Sequence, residues 1–213
     1  MKILVTGFEP FGGETINPAW EIAQGLPQTI AGAQIVARQI PCVFGQSIQT
    51  LVQAMEEEKP DLVLCLGQAG GRSAVCPERV AINLSDARIP DNAGAQPIDE
   101  PIIAEGENAY FSNLPVKAMA QAVRQAGVPA QVSNTAGTYV CNHLMYGLLY
   151  HIHKSFPHVR GGFVHVPYLT EQVVDKPNVP SLSLEQMIRA VSAALEACVL
   201  HAQDLASAEG AEH

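Results

Sequence analysis

Apolar runs alternate with amphipathic stretches along almost the whole chain. The segments 2–6 and 61–66 are rich in Ile, Leu and Val, and the second is apolar after its first residue, which is typical of a strand buried on both faces. Further extended segments are predicted at 35–40, 80–84, 130–133 and 162–166. The intervening stretches have helical periodicity, so the chain is predicted to alternate between strands and helices.

Helices are predicted at 18–26, 46–58, 115–125, 142–155 and 183–205. The first follows Asn17, a good capping residue, and has Pro18 at its first position. This alternation predicts an α/β fold, a three-layer α/β/α sandwich with a mostly parallel central sheet and functional loops at the carboxyl ends of its strands. We expect one catalytic domain over 1–206. Residues 207–213 are small or polar and are predicted to be a frayed tail.

Composition narrows the class of protein. Of 213 residues, 47% are hydrophobic and only 15% are charged, against about 25% charged in ordinary soluble domains. This balance excludes disorder and indicates a chain that buries surface against copies of itself, a homo-oligomer. The net charge of -9 and the lack of basic runs argue against nucleic acid as a partner. No apolar run suits a membrane span or a signal peptide, so we expect a cytoplasmic protein.

Five cysteines, at 42, 65, 76, 141 and 198, are candidates for chemistry. The odd number and the absence of a CxxC pair argue against a disulfide framework and against a structural zinc site. Cys65 and Cys198 lie in apolar surroundings and are predicted to be inert. Cys141 instead follows a glycine-containing turn and opens a predicted helix. The positive end of a helix dipole should lower its pKa, and free N–H groups there can hold an oxyanion.

His165 is the strongest candidate for a general base, because it closes an apolar strand at the end where α/β active sites collect. His143 also competes for this role, although its closeness to Cys141 in sequence leaves its position open. Residues 108–170 contain no Asp or Glu. A carboxylate that orients the imidazole must therefore come from elsewhere. The candidates are Glu78 and Asp86, with Asn134 or Asn142 as neutral alternatives.

The first βα loop, from Gly7 to Glu14, is rich in glycine but does not match a phosphate-binding motif. Its glycines do not have the GxGxxG spacing, and Gly12-Gly13-Glu14 stands where a P-loop needs Gly-Lys-Ser/Thr, with a carboxylate that would repel phosphate. The loop offers two aromatic rings, Phe8 and Phe11. They are either buried in the core or form a pocket for a flat, uncharged group.

Four motifs in order connect the chain to a known family. They read TGFEPFGG at 6–13, GQAGGR followed by PERVAIN within 67–83, SNTAGTYVCNH at 133–143 and GGFVHVP at 161–167. Over roughly 2–195 the sequence resembles the pyroglutamyl peptidases, a family of cysteine peptidases. The resemblance implies hydrolytic removal of an N-terminal L-pyroglutamyl residue from peptides through an acyl-enzyme. It also implies a phosphorylase/hydrolase-like fold, a homotetramer, and no metal or cofactor.

The resemblance also assigns site residues. It implies Cys141 as nucleophile, His165 as general base and then acid, Glu78 as orienting carboxylate, and Arg88 near the oxyanion. Substrate contacts are implied for Phe8, Phe11, Gln68, Cys42 and Val140. Cys42 stands where the family carries threonine, so we expect a lost hydroxyl contact and a second thiol near the site.

Two other functions are compatible with parts of the sequence. A nucleoside phosphorylase-like enzyme would share the fold class, but it would need a phosphate site that no loop of this sequence supplies. A non-catalytic oligomeric binding protein could keep the pocket without the chemistry. The presence of all three triad candidates argues against that reading.

Overall fold

The computed structural model describes residues 1–210. In chain order, its strands are β1 (Lys2–Phe8), β2 (Thr29–Ile30), β3 (Ala33–Ile40), β4 (Leu62–Gln68), β5 (Cys76–Pro77), β6 (Val80–Ile82), β7 (Ala109–Phe111), β8 (Arg160–Val166), β9 (Tyr168–Leu169) and β10 (Ser181–Leu182). The helices are α1 (Pro18–Gly25), α2 (Gln46–Glu58), α3 (Val116–Gln125), α4 (Val140–Lys154) and α5 (Leu184–Leu200), with a 3₁₀ turn at Thr170–Val173.

Six strands form the central sheet in the order β2-β3-β1-β4-β8-β5. The four inner strands are parallel, and the two short edge strands are antiparallel to their neighbours. From β1 the chain moves outward to β3 and then returns past β1 to β4. This reversal of direction opens a crevice at the carboxyl ends of the strands, where ligands of such sheets bind.

Both faces of the sheet are covered by helices. Alternate residues of β1 point to opposite sides, so that Ile3 and Val5 pack with α1, α3 and α5, whereas Leu4 packs with α2 and α4. β4 is buried along its whole length, as its apolar sequence predicts. The predicted three-layer α/β/α sandwich is therefore confirmed. No helix within residues 1–210 is long and apolar enough to span a membrane.

Residues 130–133 do not form the regular strand that the sequence predicts. This segment runs beside β5 but makes only two isolated parallel bridges, Val75 to Ala130 and Glu78 to Ser133. Backbone hydrogen bonds on either side follow a parallel ladder, and the missing rung falls at Pro77, which has no N–H to donate. The prediction failed because the sequence of residues 130–133 does not show that the neighbouring strand carries a proline, which cannot donate a backbone hydrogen bond.

The end of the chain also differs from its prediction. α5 stops at Leu200, and the following turn brings Asp204 to the start of α3, where its carboxylate accepts the backbone N–H groups of Lys117 and Ala118. Beyond it, Glu209 pairs with Arg124. The described part of the predicted frayed tail is thus attached to α3, and residues 211–213 lie outside the described residues.

Candidate active site

A cavity of about 450 Å³ lies at the carboxyl ends of the parallel strands. Its walls come from the ends of β1, β4 and β8, from the start of α4, and from the loops after β1, β3 and β6. The lining residues are Phe8, Phe11, Cys42, Gln68, Asp86, Arg88, Ile89, Ala136, Gly137, Thr138, Tyr139, Cys141 and His165. Distant parts of the sequence therefore bring the thiol, the imidazole and the aromatic rings to one place.

Cys141 is the second residue of α4, as the predicted helix start requires, and is the least buried of the five cysteines. Its N–H belongs to the first helical turn, which has no intrahelical acceptors. The backbone of Gly67 passes directly beside the sulfur, since a Cβ added at Gly67 would lie 2.9 Å from Cys141 Sγ. Glycine at this position leaves room for the thiol at the cavity wall.

His165 is buried near the end of β8 and is oriented by Glu78. Its Nδ1 lies 2.7 Å from Glu78 Oε1. The carboxylate must accept this hydrogen bond, so the neutral ring carries its proton on Nδ1 and leaves Nε2 free as a base. The carboxylate that the charge distribution placed outside residues 108–170 is therefore Glu78.

The backbone of β5 and β8 sets the position of Glu78. β5 pairs antiparallel with β8, and the N–H of Glu78 donates to the carbonyl of Phe163, two residues before His165. The Glu78 side chain is fully buried. Its charge is balanced by Arg72, whose Nη1 donates to Oε1 over 2.7 Å and whose Nη2 donates to the carbonyl of Thr135 over 3.0 Å. No local sequence pattern predicts this role for Arg72.

The other candidate acceptors do not contact His165. Asp86 is exposed at the cavity mouth, and Asn134 is exposed in the loop before α4. Asn142 is buried and uses its amide on the backbone of Ile82 and Leu84. No cluster of three His, Cys, Asp or Glu side chains arranged as metal ligands occurs among residues 1–210.

His143 has a structural role, because both of its ring nitrogens form hydrogen bonds within the protein. The N–H of Gly45 donates to its Nε2 over 2.9 Å, and its Nδ1 lies 3.2 Å from the Ser85 hydroxyl. An Nε2 that accepts a hydrogen bond carries no proton, so the ring is neutral. Burial accordingly lowers the pKa of His143 to about 4. The hydrogen bond from Gly45 connects α4 to the loop before α2, so His143 is not free to act as a base.

The expected low pKa of Cys141 is wrong. Burial raises the pKa of the Cys141 thiol well above its ordinary value; Cys42 and Glu78 raise it further, whereas Arg72 lowers it. Burial also lowers the pKa of His165, against the effect of Glu78. Desolvation is therefore the largest effect on the pKa of both groups. Both directions favour a neutral thiol and a neutral imidazole in the resting pair, so that the thiolate forms as the proton moves to His165.

Both proposed pocket rings lie at the cavity, though in different ways. Phe8 is buried at the end of β1 and faces the ring of Phe163 at 6.5 Å, whereas Phe11 is half-buried and lies 6.2 Å from Tyr139. Cys42 lines the same cavity. Val140 does not, because its side chain turns away from the cavity into the core beneath α4.

Residues 86–92 form one side of the cavity mouth, and Arg88 and Ile89 of this segment line the cavity. Two residues just before Cys141 hold this segment, since Thr138 donates to the carbonyl of Asp86 over 2.7 Å and Tyr139 donates to that of Pro90 over 3.0 Å. Arg88 is exposed and pairs with no carboxylate in the part of the chain that the structure describes. Its guanidinium is available to a ligand.

One wall of the cavity depends on a residue that sequence reasoning missed. Gln68, the last residue of β4, accepts a 2.9 Å hydrogen bond at Oε1 from Nε2 of Gln172 in the 3₁₀ turn. Gln172 is buried and lies 104 positions away in sequence. No local pattern marks it, so only the fold could reveal the contact.

Comparison with known proteins identifies the family of the chain. The family model for pyroglutamyl peptidase matches residues 1–201. The pyrrolidone-carboxylate peptidase of Lactobacillus johnsonii is 55% identical over 215 aligned positions, and that of Streptococcus pyogenes serotype M5 is 57% identical over 215; each alignment covers the whole of both chains.

Solved structures show the same fold. Pyroglutamyl peptidase I of Bacillus amyloliquefaciens matches with a TM-score of 0.93 and 48% identity, over 96% of this chain and 99% of that one. A mutant pyrrolidone carboxyl peptidase from the hyperthermophile Pyrococcus furiosus matches with a TM-score of 0.90 and 46% identity, over 94% of this chain and 99% of that one.

Proposed function

This chain belongs to the pyroglutamyl peptidase family of cysteine peptidases, which remove N-terminal pyroglutamate from peptides, and from this premise we propose that Cys141, His165 and Glu78 are its catalytic triad. One observation carries the proposal. Glu78 fixes the proton of His165 on Nδ1 through a 2.7 Å hydrogen bond, and the free side of the ring shares a cavity with the Cys141 thiol. The phosphorylase-like and non-catalytic alternatives lose their support.

Acylation begins with the neutral pair. Cys141 Sγ attacks the exocyclic carbonyl carbon of the pyroglutamyl residue while its proton moves to Nε2 of His165. Glu78 stabilises the imidazolium that forms. The carbonyl oxygen becomes an oxyanion, which the N–H groups at the start of α4 stabilise together with Arg88. His165 then gives its proton to the leaving amine, and the peptide departs from a thioester on Cys141.

Deacylation reverses these roles. A water molecule attacks the thioester carbonyl, His165 takes its proton as base, and the thiol of Cys141 leaves with that proton as pyroglutamate is released. The substrate ring has neither a free amine nor a charge. A cavity lined by Phe8, Phe11 and the amide of Gln68 suits such a ring. Among residues 1–210, the one carboxylate that lines this cavity is that of Asp86, which lies at the mouth, so the inner wall offers no acidic partner to a free N-terminal amine.

The nucleophile is tested with a pyroglutamyl amide that releases a chromophore. Cys141→Ser should lose at least about a thousandfold in kcat, since a buried hydroxyl is a far weaker nucleophile than a thiol. Cys42→Ser is the matched control, because Cys42 lines the same cavity, and it should keep most of the activity. A Cys141→Ser variant that cleaves at nearly the wild-type rate would overturn the assignment.

Glu78 is tested separately from folding. Glu78→Gln keeps the shape of the side chain but removes the charge that stabilises the His165 imidazolium, so kcat should fall by about a hundredfold or more. The thermal transition should remain. A purely structural Glu78 would give the reverse pattern, a lost or lowered transition with native specific activity in the folded fraction.

We propose that the chain works as a homo-oligomer, a tetramer by its family resemblance. Several large apolar side chains are exposed in the single chain, including Ile98 and Phe111 at 69% each and Leu200 at 68%. Such residues need cover in a soluble assembly. Light scattering coupled to gel filtration measures the mass directly, and a monomer at micromolar concentration would refute the proposal.

We also propose that residues 1–206 act as one catalytic domain in the cytoplasm. The two larger hydrophobic clusters draw on residues from Ile3 to Cys198, so neither half of the chain has a core of its own. All five cysteines are free in the described structure, which suits a reducing compartment. Fractionation of cells that produce the protein, with a thiol count on the purified fraction, tests the location.

A further inference from the structure

The segment that carries Arg88 is bonded to the chain just before the nucleophile. The N–H of Asp86 donates to the carbonyl of Thr138 over 3.0 Å, and the Thr138 hydroxyl donates to the carbonyl of Asp86 over 2.7 Å. The Tyr139 hydroxyl donates to the carbonyl of Pro90 over 3.0 Å. These contacts hold the segment two residues before Arg88 and again two residues after it.

Between these two contacts the segment has no anchor of its own. The backbone groups of Arg88 and Ile89 form no hydrogen bond within the part of the chain that the structure describes. The other hydrogen bonds of the segment run to residues 95–97 and to the loops after β1 and β3. The contacts from Thr138 and Tyr139 are therefore the ones that set the distance of Arg88 from the start of α4.

The ring of Tyr139 is held independently of its hydroxyl. Its centroid lies 6.2 Å from that of Phe11 and 5.5 Å from that of Phe44, the second in an edge-to-face arrangement. Tyr139 also immediately precedes the first residue of α4, so its backbone is fixed by the helix that carries Cys141. Removal of the hydroxyl alone should therefore leave the ring in place and release the carbonyl of Pro90.

We propose that Tyr139, together with Thr138, is a positioning residue for Arg88: the two side chains hold the Arg88 segment at a fixed distance from Cys141, where the guanidinium can stabilise the oxyanion. This inference rests on the proposed function and adds what keeps Arg88 in place. Stabilisation of a transition state depends on donors that are already positioned when charge develops. The effect of Tyr139 should therefore appear in kcat and not in binding of the substrate ring.

Tyr139→Phe tests the hydroxyl, because phenylalanine keeps the ring contacts. We expect kcat for a pyroglutamyl amide to fall about tenfold, the effect of one hydrogen bond, with little change in KM. Thr138→Val keeps the shape of its side chain and should give a similar loss, whereas Thr138→Ser keeps the hydroxyl and should retain most of the activity. Tyr150→Phe is the matched control on α4. It removes a hydroxyl that bonds to Glu105 outside the cavity, so kcat and KM should not change.

Two inhibitors separate the oxyanion from the substrate ring. The aldehyde analogue of pyroglutamate adds the Cys141 thiol across its C=O bond: the sulfur bonds to the carbon, the thiol proton ends on the oxygen, and that oxygen lies where the oxyanion forms. 2-Pyrrolidone is a bare lactam without the exocyclic carbonyl. In Tyr139→Phe the inhibition constant of the aldehyde should rise about tenfold, as kcat falls, while that of 2-pyrrolidone stays the same. Equal weakening of both inhibitors would mean that Tyr139 only shapes the ring pocket, and the inference would be wrong.

A double-mutant cycle with Arg88→Met decides whether Tyr139 acts through Arg88. If it does, Tyr139→Phe adds little to the loss of kcat in an Arg88→Met enzyme. Losses that multiply, or a lower Tm in Tyr139→Phe with unchanged kcat, would overturn the inference in favour of a structural role. An Arg88→Met enzyme with the wild-type kcat would overturn it together with the proposed role of Arg88. A wild-type enzyme that fails to cleave pyroglutamyl amides would instead contradict the proposed function.

Discussion

Arg72 donates a 2.7 Å hydrogen bond from Nη1 to Oε1 of Glu78. The same oxygen accepts the Nδ1–H of His165, and the second carboxylate oxygen is buried without a partner among the described residues. The guanidinium and the imidazole thus meet at one atom. Arg72 lowers the pKa of both His165 and Cys141, so its charge acts on the base and the nucleophile without touching either.

Replacing Arg72 should therefore change the pH profile. In Arg72→Met the pKa of His165 should rise, because the repulsion from the guanidinium is lost, so the acid limb of kcat/KM should move to higher pH. Arg72→Lys should restore part of this shift because it keeps the charge, although it cannot also hold the carbonyl of Thr135 as the guanidinium does. A lower Tm with an unmoved pH profile would mean that Arg72 is only structural.

Thiol chemistry tests the protonation state of the resting site. Cys141 is partly exposed at the cavity wall, whereas Cys42, Cys65, Cys76 and Cys198 are buried. Iodoacetamide should label Cys141 first, as peptide mapping would show, and 2-pyrrolidone should protect it. Because the pKa of Cys141 is raised, the labelling rate should climb steadily from pH 6 to 9. A plateau already reached at pH 6 would instead indicate a preformed thiolate–imidazolium pair.

The sequence predicted the parts of this site that local patterns determine. Cys141 at a helix start, His165 at a strand end and a carboxylate from outside 108–170 each follow from periodicity or charge distribution. Arg72 and Gln172 were missed because their roles depend on contacts across the fold. The pKa of Cys141 was predicted in the wrong direction because the sequence showed the helix dipole but not the depth of burial.

For the fold, too, local sequence patterns predicted some elements, whereas others depend on contacts between distant segments. The strands and helices with long apolar patterns were predicted within a few residues, and so was the order of layers. Short elements such as β5 and β9 have two residues each and no pattern of their own, since pairing with β8 and β10 defines them. The failed strand at 130–133 belongs with these, because Pro77 of β5 interrupts its pairing.

Gly67→Ala should impair catalysis by crowding the nucleophile. The added Cβ would lie 2.6 Å from Phe163 Cζ and 2.9 Å from Cys141 Sγ, both closer than side chains normally approach. We expect a stability loss of about 1–3 kcal/mol from overpacking and a fall in kcat of at least tenfold. Adding Phe163→Leu removes the ring contact. Stability should then recover while kcat stays low, whereas recovery of both would show that the sulfur had never been displaced.

His143 should make the fold sensitive to acid. Its folded pKa of about 4 lies below the ordinary value of 6.5, so the unfolded chain binds the proton more readily. The stabilisation is complete above pH 6.5 and is lost as the pH falls toward 4, by about 3 kcal/mol in all. Protonation of Nε2 would also break the hydrogen bond from the N–H of Gly45.

His143→Gln isolates this contribution. The glutamine can accept the Gly45 N–H but does not titrate, so the variant should be less stable than wild type at pH 7.5 and lose less stability between pH 6.5 and 4. Urea unfolding at several pH values measures both quantities. His158→Gln, at an exposed position, should follow the wild-type curve. If His143→Gln also runs parallel to wild type, the acid sensitivity arises from other groups, and a buried neutral His143 is not its source.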